Sequence, residues 1–391
     1  MASDAAKSET RSGAPPTPPA VPRPARSRRD LPSLGLAALR IGPALMLLVV
    51  VAAAAALSPV FFTTRNLGNV LSQSAVIATL ALAQLLVIVT RGIDLSVGST
   101  LALSAVVGAL AFATVPSGSA VIVVMLATGM AVGAVNGAVL VWGRLPHPFI
   151  MTLAMLSIAR GLALWLSGGQ PISGMPEVVQ QIGGGAIGWL PYSTFLVAGL
   201  ALLTLLLTKA TVWGRWIYAV GGNPDAARRV AVPVNSVVIS VYGLSGLAAG
   251  MGAIINAGRL NGGSPTFGEL AELDAIAAVV IGGASFLGGR GHVGNALVGA
   301  LMIGVIRNAM NLLNVNAFLQ PIVIGLVIVI AVELDVIRGR LEERLRTIQA
   351  AHSGPRPPRL PRPRCASGAP PSVSARWSPW TAWTSKRAAA R

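Results

Sequence analysis

In a chain that is 53% hydrophobic and only 11% charged, a polar side chain inside an apolar run needs a partner or a task. One such group stands between the second and third apolar blocks, in Arg91-Gly92-Ile93-Asp94-Leu95-Ser96-Val97-Gly98-Ser99. Asp94 reads in two ways. As the N-cap of the next helix it would accept backbone N–H bonds. At a break between half-helices it would belong to irregular backbone that lines a cavity and offers polar groups to a solute. Arg160, well inside the fifth block, is either such a path residue or a charge that holds two helices together. Asn136, Gln84 and Asn308 each suit a polar path or an interhelical hydrogen bond, and Arg307, nearer the end of its block, can snorkel.

None of this is catalytic chemistry. No Ser/His/Asp or Cys/His set clusters at one depth, so no catalytic residue is assigned. The three histidines, His147, His292 and His352, are far apart, and the one cysteine is Cys365; no metal-ligand spacing results. Lys7, Lys209 and Lys386 all stand outside any GxxxxGK[ST] pattern, so there is no phosphate-binding P-loop. The chain is expected to bind no cofactor of its own, and any ATP must be used by another polypeptide.

The second polar interval is Lys209–Asn235, with Lys209, Arg215, Arg228 and Arg229 against one acid, Asp225. Gly221-Gly222-Asn223-Pro224 is a turn signal, since Gly supplies positive φ and Pro fixes φ. Asp225-Ala226-Ala227-Arg228-Arg229 then reads as a short helix with its acid first and bases last, matching the helix dipole. The interval is either a solvated linker or a rigid basic knob presented to a partner.

Positioning these residues requires membrane helices. A bilayer core about 30 Å thick takes roughly 20 apolar residues per helix. That ruler predicts ten spans, near 41–62, 70–90, 94–115, 119–142, 149–167, 190–208, 235–257, 273–289, 293–313 and 318–336, the eighth being short and Gly-rich. With the N-terminus inside, Arg91, Arg144, Lys209, Arg215, Arg228, Arg229 and Arg290 fall on the cytosolic side. Only Arg65 and Arg259 fall outside, with Glu177, Glu269 and Glu272. The reading is a multi-pass protein with both termini cytosolic.

The net charge of +17 divides as +4 in residues 1–40, +10 in 338–391 and +3 between them. Basicity therefore belongs to the Pro- and Arg-rich tails, 1–40 and 337–391, which are expected to be disordered, and not to a folded nucleic-acid surface. Residues 41–336 form the transmembrane domain. Within it Gly129, Gly133 and Gly137 share one face of the fourth span and Gly246 and Gly250 repeat the spacing in the seventh, a helix-packing signal. Two outward segments, Gly168–Trp189 and Arg259–Glu272, are long enough to be a docking rim, or are flexible linkers.

Four stretches, VIVTRGIDLSVGS (87–99), RLPHPFIMTLAMLSIARGLAL (144–164), GRWIYAVGGNPDAARRVAVPV (214–234) and ELDAIAAVVIGGASFLGGRGHVGNALVGALMIGVIRNAMNLLNV (272–315), together resemble the ribose/xylose-type permeases of bacterial ABC sugar importers. The resemblance covers about residues 41–336. It implies an all-α polytopic membrane protein, a type II importer permease of about ten helices in a bacterial cell membrane. It further implies a dimer in membrane lipid, an extracytoplasmic sugar-binding protein as donor and a separate cytosolic ABC ATPase as motor. The family's coupling segment maps onto Gly214, Arg215, Gly221, Gly222, Asn223, Pro224, Asp225, Ala226, Ala227 and Arg228. Its signature turn maps onto Gly92, Asp94, Ser96, Gly98 and Ser99, with Arg160 and Asn136 as further path candidates. Two departures stand out: Arg91 where the family commonly has Gly, and Val230-Ala231-Val232 where it usually has Ser-Gly-Ile.

The expectation is thus a passive translocation subunit for a ribose-, xylose- or rhamnose-like monosaccharide. The alternative is an ion-coupled secondary transporter of a small polar solute, which would need ionisable groups at the midplane and has only Asp94 and Arg160 to offer. A membrane scaffold with lipid-attracted tails is the third class.

Overall fold

The computed structural model describes residues 31–333, apart from 328, 331 and 332. Most of the two expected tails lies outside the described residues, although α1 (Leu31–Leu57) begins within the first. Seven helices among the described residues are long and apolar enough to cross a bilayer. They are α2 (Thr64–Val89), α3 (Val97–Thr114), α4 (Gly118–Trp142), α5 (Pro148–Ser167), α7 (Tyr192–Ala210), α10 (Val234–Leu260) and α12 (Val293–Leu312). The remaining helices are α6 (Glu177–Gly184), α8 (Val212–Gly222), α9 (Pro224–Arg229) and α11 (Ala271–Ile281), and a further helical run occupies 320–327.

The eighth expected span, 273–289, is not a continuous helix. It contains α11, whose 11 residues rise about 16 Å, roughly half a hydrocarbon core. Gly282 and Gly283 end it: Gly283 takes φ +82, and a methyl on Gly282 would stand 2.5 Å from the Asn295 carbonyl oxygen. The chain then reaches α12 through irregular backbone in which Gly282 and Ala284 are buried while Phe286, Leu287 and Arg290 are exposed.

Burial separates a centre from a perimeter. The apolar stretch of α2 is 83% buried and those of α3 and α10 are 67% buried, against 22% for α4 and α5. Without a hydrophobic preference for protein over lipid, these contacts depend on close backbone approach. The α4/α10 pair shows how. Methyls at Gly129 or Gly133 would overlap the carbonyl oxygens of Gly246 and Tyr242, and a methyl at Gly246 would overlap that of Gly129. The two glycine ladders therefore face one another, and this is the most extensive helix pair among the described residues. Between α2 and α12 the joint is polar instead. The amides of Asn66 and Asn308 exchange reciprocal hydrogen bonds of 3.0 and 2.9 Å.

At the end away from α8 and α9, the two segments flanking α6 and following α10 are stitched together. The strands Ile172–Ser173 and Gly262–Gly263 pair antiparallel. Asn261 supports the join, its carbonyl accepting from Gly174 N and its side chain from Met175 N, both at 2.9 Å. Val179 and Gly183 of α6 pack against Gly258 with no room for a side chain on either glycine. These segments form one platform.

Candidate functional site

The chain between α2 and α3 turns sharply and re-enters the molecule. Arg91 makes the turn with φ +66, a left-handed conformation that costs a non-glycine residue about 1–2 kcal/mol. Beyond it Asp94, only 1% exposed, sits in the protein interior. One carboxylate oxygen accepts from Ser96 N at 3.0 Å and Ser96 Oγ at 2.7 Å, and the other from Ser245 Oγ of α10 at 2.8 Å. Its backbone needs partners as well, having left α2 without yet entering α3. The Gln84 amide supplies both, accepting from Asp94 N at 3.1 Å and donating to Asp94 O at 3.3 Å.

Further bonds tie in the outer helices. Asn136 of α4 donates to Ser96 Oγ at 2.8 Å, and Thr152 of α5 donates to the Ile93 carbonyl at 3.1 Å. Ser99 donates to the Ser96 carbonyl at 2.9 Å. Gly92 is small because a Cβ there would come 2.6 Å from the Tyr242 hydroxyl. Of the two readings of Asp94, the geometry holds parts of both: it accepts a backbone N–H at the start of α3, and it stands in a break between helices. The break is packed shut, with Gln84, Asp94, Ser96, Asn136, Thr152 and Ser245 forming a hub across α2, α3, α4, α5 and α10.

Gly98 and Arg160 lie elsewhere. A methyl on Gly98 would overlap both the Glu272 carboxylate and the Gly268 carbonyl, so this glycine lets α3 meet the 259–272 segment. Arg160 donates to the carbonyls of Pro265 and Phe267, the latter at 3.0 Å. It therefore clamps that segment to α5 through backbone dipoles rather than through an ion pair.

The knob between α7 and α10 consists of α8 and α9. Thr211 caps α8 by accepting from Gly214 N at 3.0 Å. Asn223 caps α9 by accepting from Asp225 N and Ala226 N at 3.1 and 3.0 Å, with Pro224 at the first helical position. Asp225, Ala226, Arg228 and Arg229 are exposed while Ala227 is buried. The Asp225–Arg228 pair at 3.9 Å is solvent-exposed and contributes little. Arg215 is exposed, and Gly214 is buried under the last turn of α7, where a side chain would overlap Leu207 and Thr208.

The knob is bound to both irregular segments. Arg91 Nε donates to Gly221 O at 2.7 Å and its Nη2 to Gly222 O at 2.5 Å, at the C-terminal, negative end of α8. Gly221 lies so close to the end of α2 that a methyl would overlap Val89 O. That same carbonyl accepts from Gly289 N at 2.9 Å. Tyr218 donates to Gly291 O at 2.8 Å, and burial pushes its hydroxyl up from the ordinary tyrosine value, keeping it a donor. Tyr218 and Ser245 carried no role in the sequence reading. Gln84, read as a path residue or an interhelical hydrogen-bonder, instead brackets the backbone of the break, and Arg91 stood there only as a cytosolic cation and a departure from the family pattern. For Arg91 a signal existed: a charged residue where the resembled family pattern has glycine.

Residues 66–332 match the family described as "Branched-chain amino acid transport system / permease component". The chain belongs to the type II permease family of ABC importers. The permease is 41% identical over 283 residues to the ribose import permease protein RbsC of Escherichia coli (strain K12), covering 71% of this chain and 88% of that one. It is 40% identical over 302 residues to RbsC of Bacillus subtilis (strain 168), covering 76% and 92%. To the D-allose transport system permease protein AlsC of Escherichia coli (strain K12) it is 37% identical over 283 residues, covering 72% and 86%. No solved structure matches it. As a member of this family the permease is a multi-pass protein of the cell membrane and a transport subunit, not an enzyme.

Proposed function

We propose that this permease imports a monosaccharide, as the ribose and allose permeases it resembles are named for doing. A separate cytosolic ABC ATPase drives it by pressing on α8 and α9, and a binding protein delivers the sugar at the opposite face. The permease works as a homodimer, with the end bearing α8 and α9 in the cytosol.

One observation carries the reading. The knob is the only exposed basic element held rigidly to both broken segments among the described residues. Arg91 and Gly221 join it to the 90–96 break, and Tyr218 joins it to the loop between α11 and α12. A push on α8 therefore reaches two places where helices are already interrupted and can reorient without unwinding. The partner biases two states of the permease by binding them unequally. At the far face, the platform of α6 with its paired strands offers a firm surface for a donor protein.

The ion-coupled alternative finds no support. The acid that the sequence offers for such a mechanism, Asp94, has both oxygens engaged by buried hydroxyls and a backbone N–H.

The test is reconstitution of the permease with its ATPase and binding protein. Replacing Asn223 or Asp225 with Trp is expected to leave the permease in the membrane but to abolish sugar-stimulated ATP hydrolysis and uptake together. Normal uptake in both variants would sink the coupling assignment.

A further inference from the structure

The end of the molecule opposite the knob contains a polar cleft of about 330 Å³, within the size range of small-molecule sites. It opens between α2, α10, α11 and α12, beside the platform. Its charged lining is Arg259, Glu269, Asp274 and Arg307, two of each sign. Asp274, 3% exposed, binds Arg307 Nη2 at 2.5 Å. Arg307 Nε is buried and has no protein acceptor. The amides of Gln73, Asn256, Asn311 and Gln320 also line it, Gln320 Nε2 donating to Asn311 Oδ1 at 2.8 Å. Two other recesses differ in kind: those lined by Leu82, Leu203 and Leu207 and by Met130, Trp213 and Ile239 are almost wholly apolar and suit lipid chains.

We propose that this cleft is a binding site for a single neutral sugar, the first point at which the permease itself holds its substrate. The inference rests on the import reading and deepens it. Three features select the ligand class. Side-chain amides donate and accept at once, as each sugar hydroxyl does. The Asp274–Arg307 pair sets an acceptor and a donor side by side in the cleft wall, the charge-assisted kind that bonds strongly. The lining charges cancel, so neither an anion nor a cation gains over a neutral polyol. A phosphorylated sugar would be left facing Glu269 and Asp274.

The test uses the full permease reconstituted with its ATPase and binding protein, with D-ribose, D-allose and D-fructose as probes. Asn256→Leu and Gln73→Leu are expected to raise the uptake KM about tenfold each, the worth of one well-placed hydrogen bond. ATP hydrolysis stimulated by loaded binding protein should stay within about twofold, because docking is untouched. Unchanged uptake in both variants would overturn the proposal. So would an equal fall in uptake and stimulated hydrolysis, which would make these residues determinants of docking or folding. A second measurement does not depend on those variants folding. In a Cys365→Ser background, Asn256→Cys should react with a hydrophilic thiol reagent, slowly with sugar-loaded binding protein and rapidly with the empty form. Equal rates with loaded and empty donor would contradict a sugar site. If wild type shows no binding-protein-stimulated hydrolysis at all, the import reading fails first and takes this inference with it.

Discussion

Two polar clusters in this permease use similar residues to opposite ends. Around Asp94, a carboxylate in a helix break is surrounded by neutral donors from α10 and its own turn, and the backbone beside it is bracketed by Gln84. Around Asp274, a carboxylate near the start of a short helix meets a guanidinium and faces a cleft of about 330 Å³. The first has its bonds made within the protein. The second has charge and amides left over for a visitor. A membrane acid is thus not functional in one sense only: enclosed, it holds the fold, and beside a cavity it offers chemistry.

Breaking the enclosed cluster should cost the most stability. Asp94→Ala strands the Ser96 and Ser245 hydroxyls and the Ser96 N–H, a loss of about 3 kcal/mol for bonds to a charged group. It should appear as a sharply lowered melting midpoint in detergent. Gln84→Leu leaves only the Asp94 backbone unpaired and should cost about 2 kcal/mol by the same assay. Asn256→Leu in the open cleft should change the midpoint little, and a loss as large as that of Asp94→Ala would erase the distinction. Arg160→Gln removes the clamp on residues 264–268. About 1 kcal/mol and faster proteolysis in that segment are expected, with the melting midpoint nearly unmoved.

The smallest effect concerns the backbone. Ala231 takes φ +61, so Ala231→Gly is expected to stabilise by up to about 1 kcal/mol, read as a raised midpoint. Arg91 and Ala231 stand where the family pattern that the sequence resembles has glycine, and both have left-handed backbone. The geometry that glycine serves is kept, and at Arg91 the side chain gains two carbonyl acceptors on α8 in return.

Much of the frame was legible because it follows from local periodicity. The glycine spacing in α4 and α10 marked the faces that meet, and Asn223-Pro224 marked where α9 begins. Gly282-Gly283 explains why the eighth apolar block stops short, although length alone suggested a span. What spacing does not carry is the identity of a partner far along the chain. Ser245 with Asp94 and Asp274 with Arg307 are 151 and 33 residues apart and are chosen by the packing of whole helices. The pairing of Ile172–Ser173 with Gly262–Gly263 escaped for the same reason, since both lie in Gly-rich stretches without alternation.

The central claim is that motion of the knob reaches the broken helices through Arg91. Uptake per ATP hydrolysed, measured for Arg91→Gly in proteoliposomes with the ATPase and binding protein, tests it most directly. Glycine suits the backbone there, so the fold should hold. The account predicts ATP hydrolysis within about twofold of wild type and uptake reduced about tenfold, the loss of roughly 1.4 kcal/mol of coupling. An unchanged ratio of sugar to ATP would contradict it.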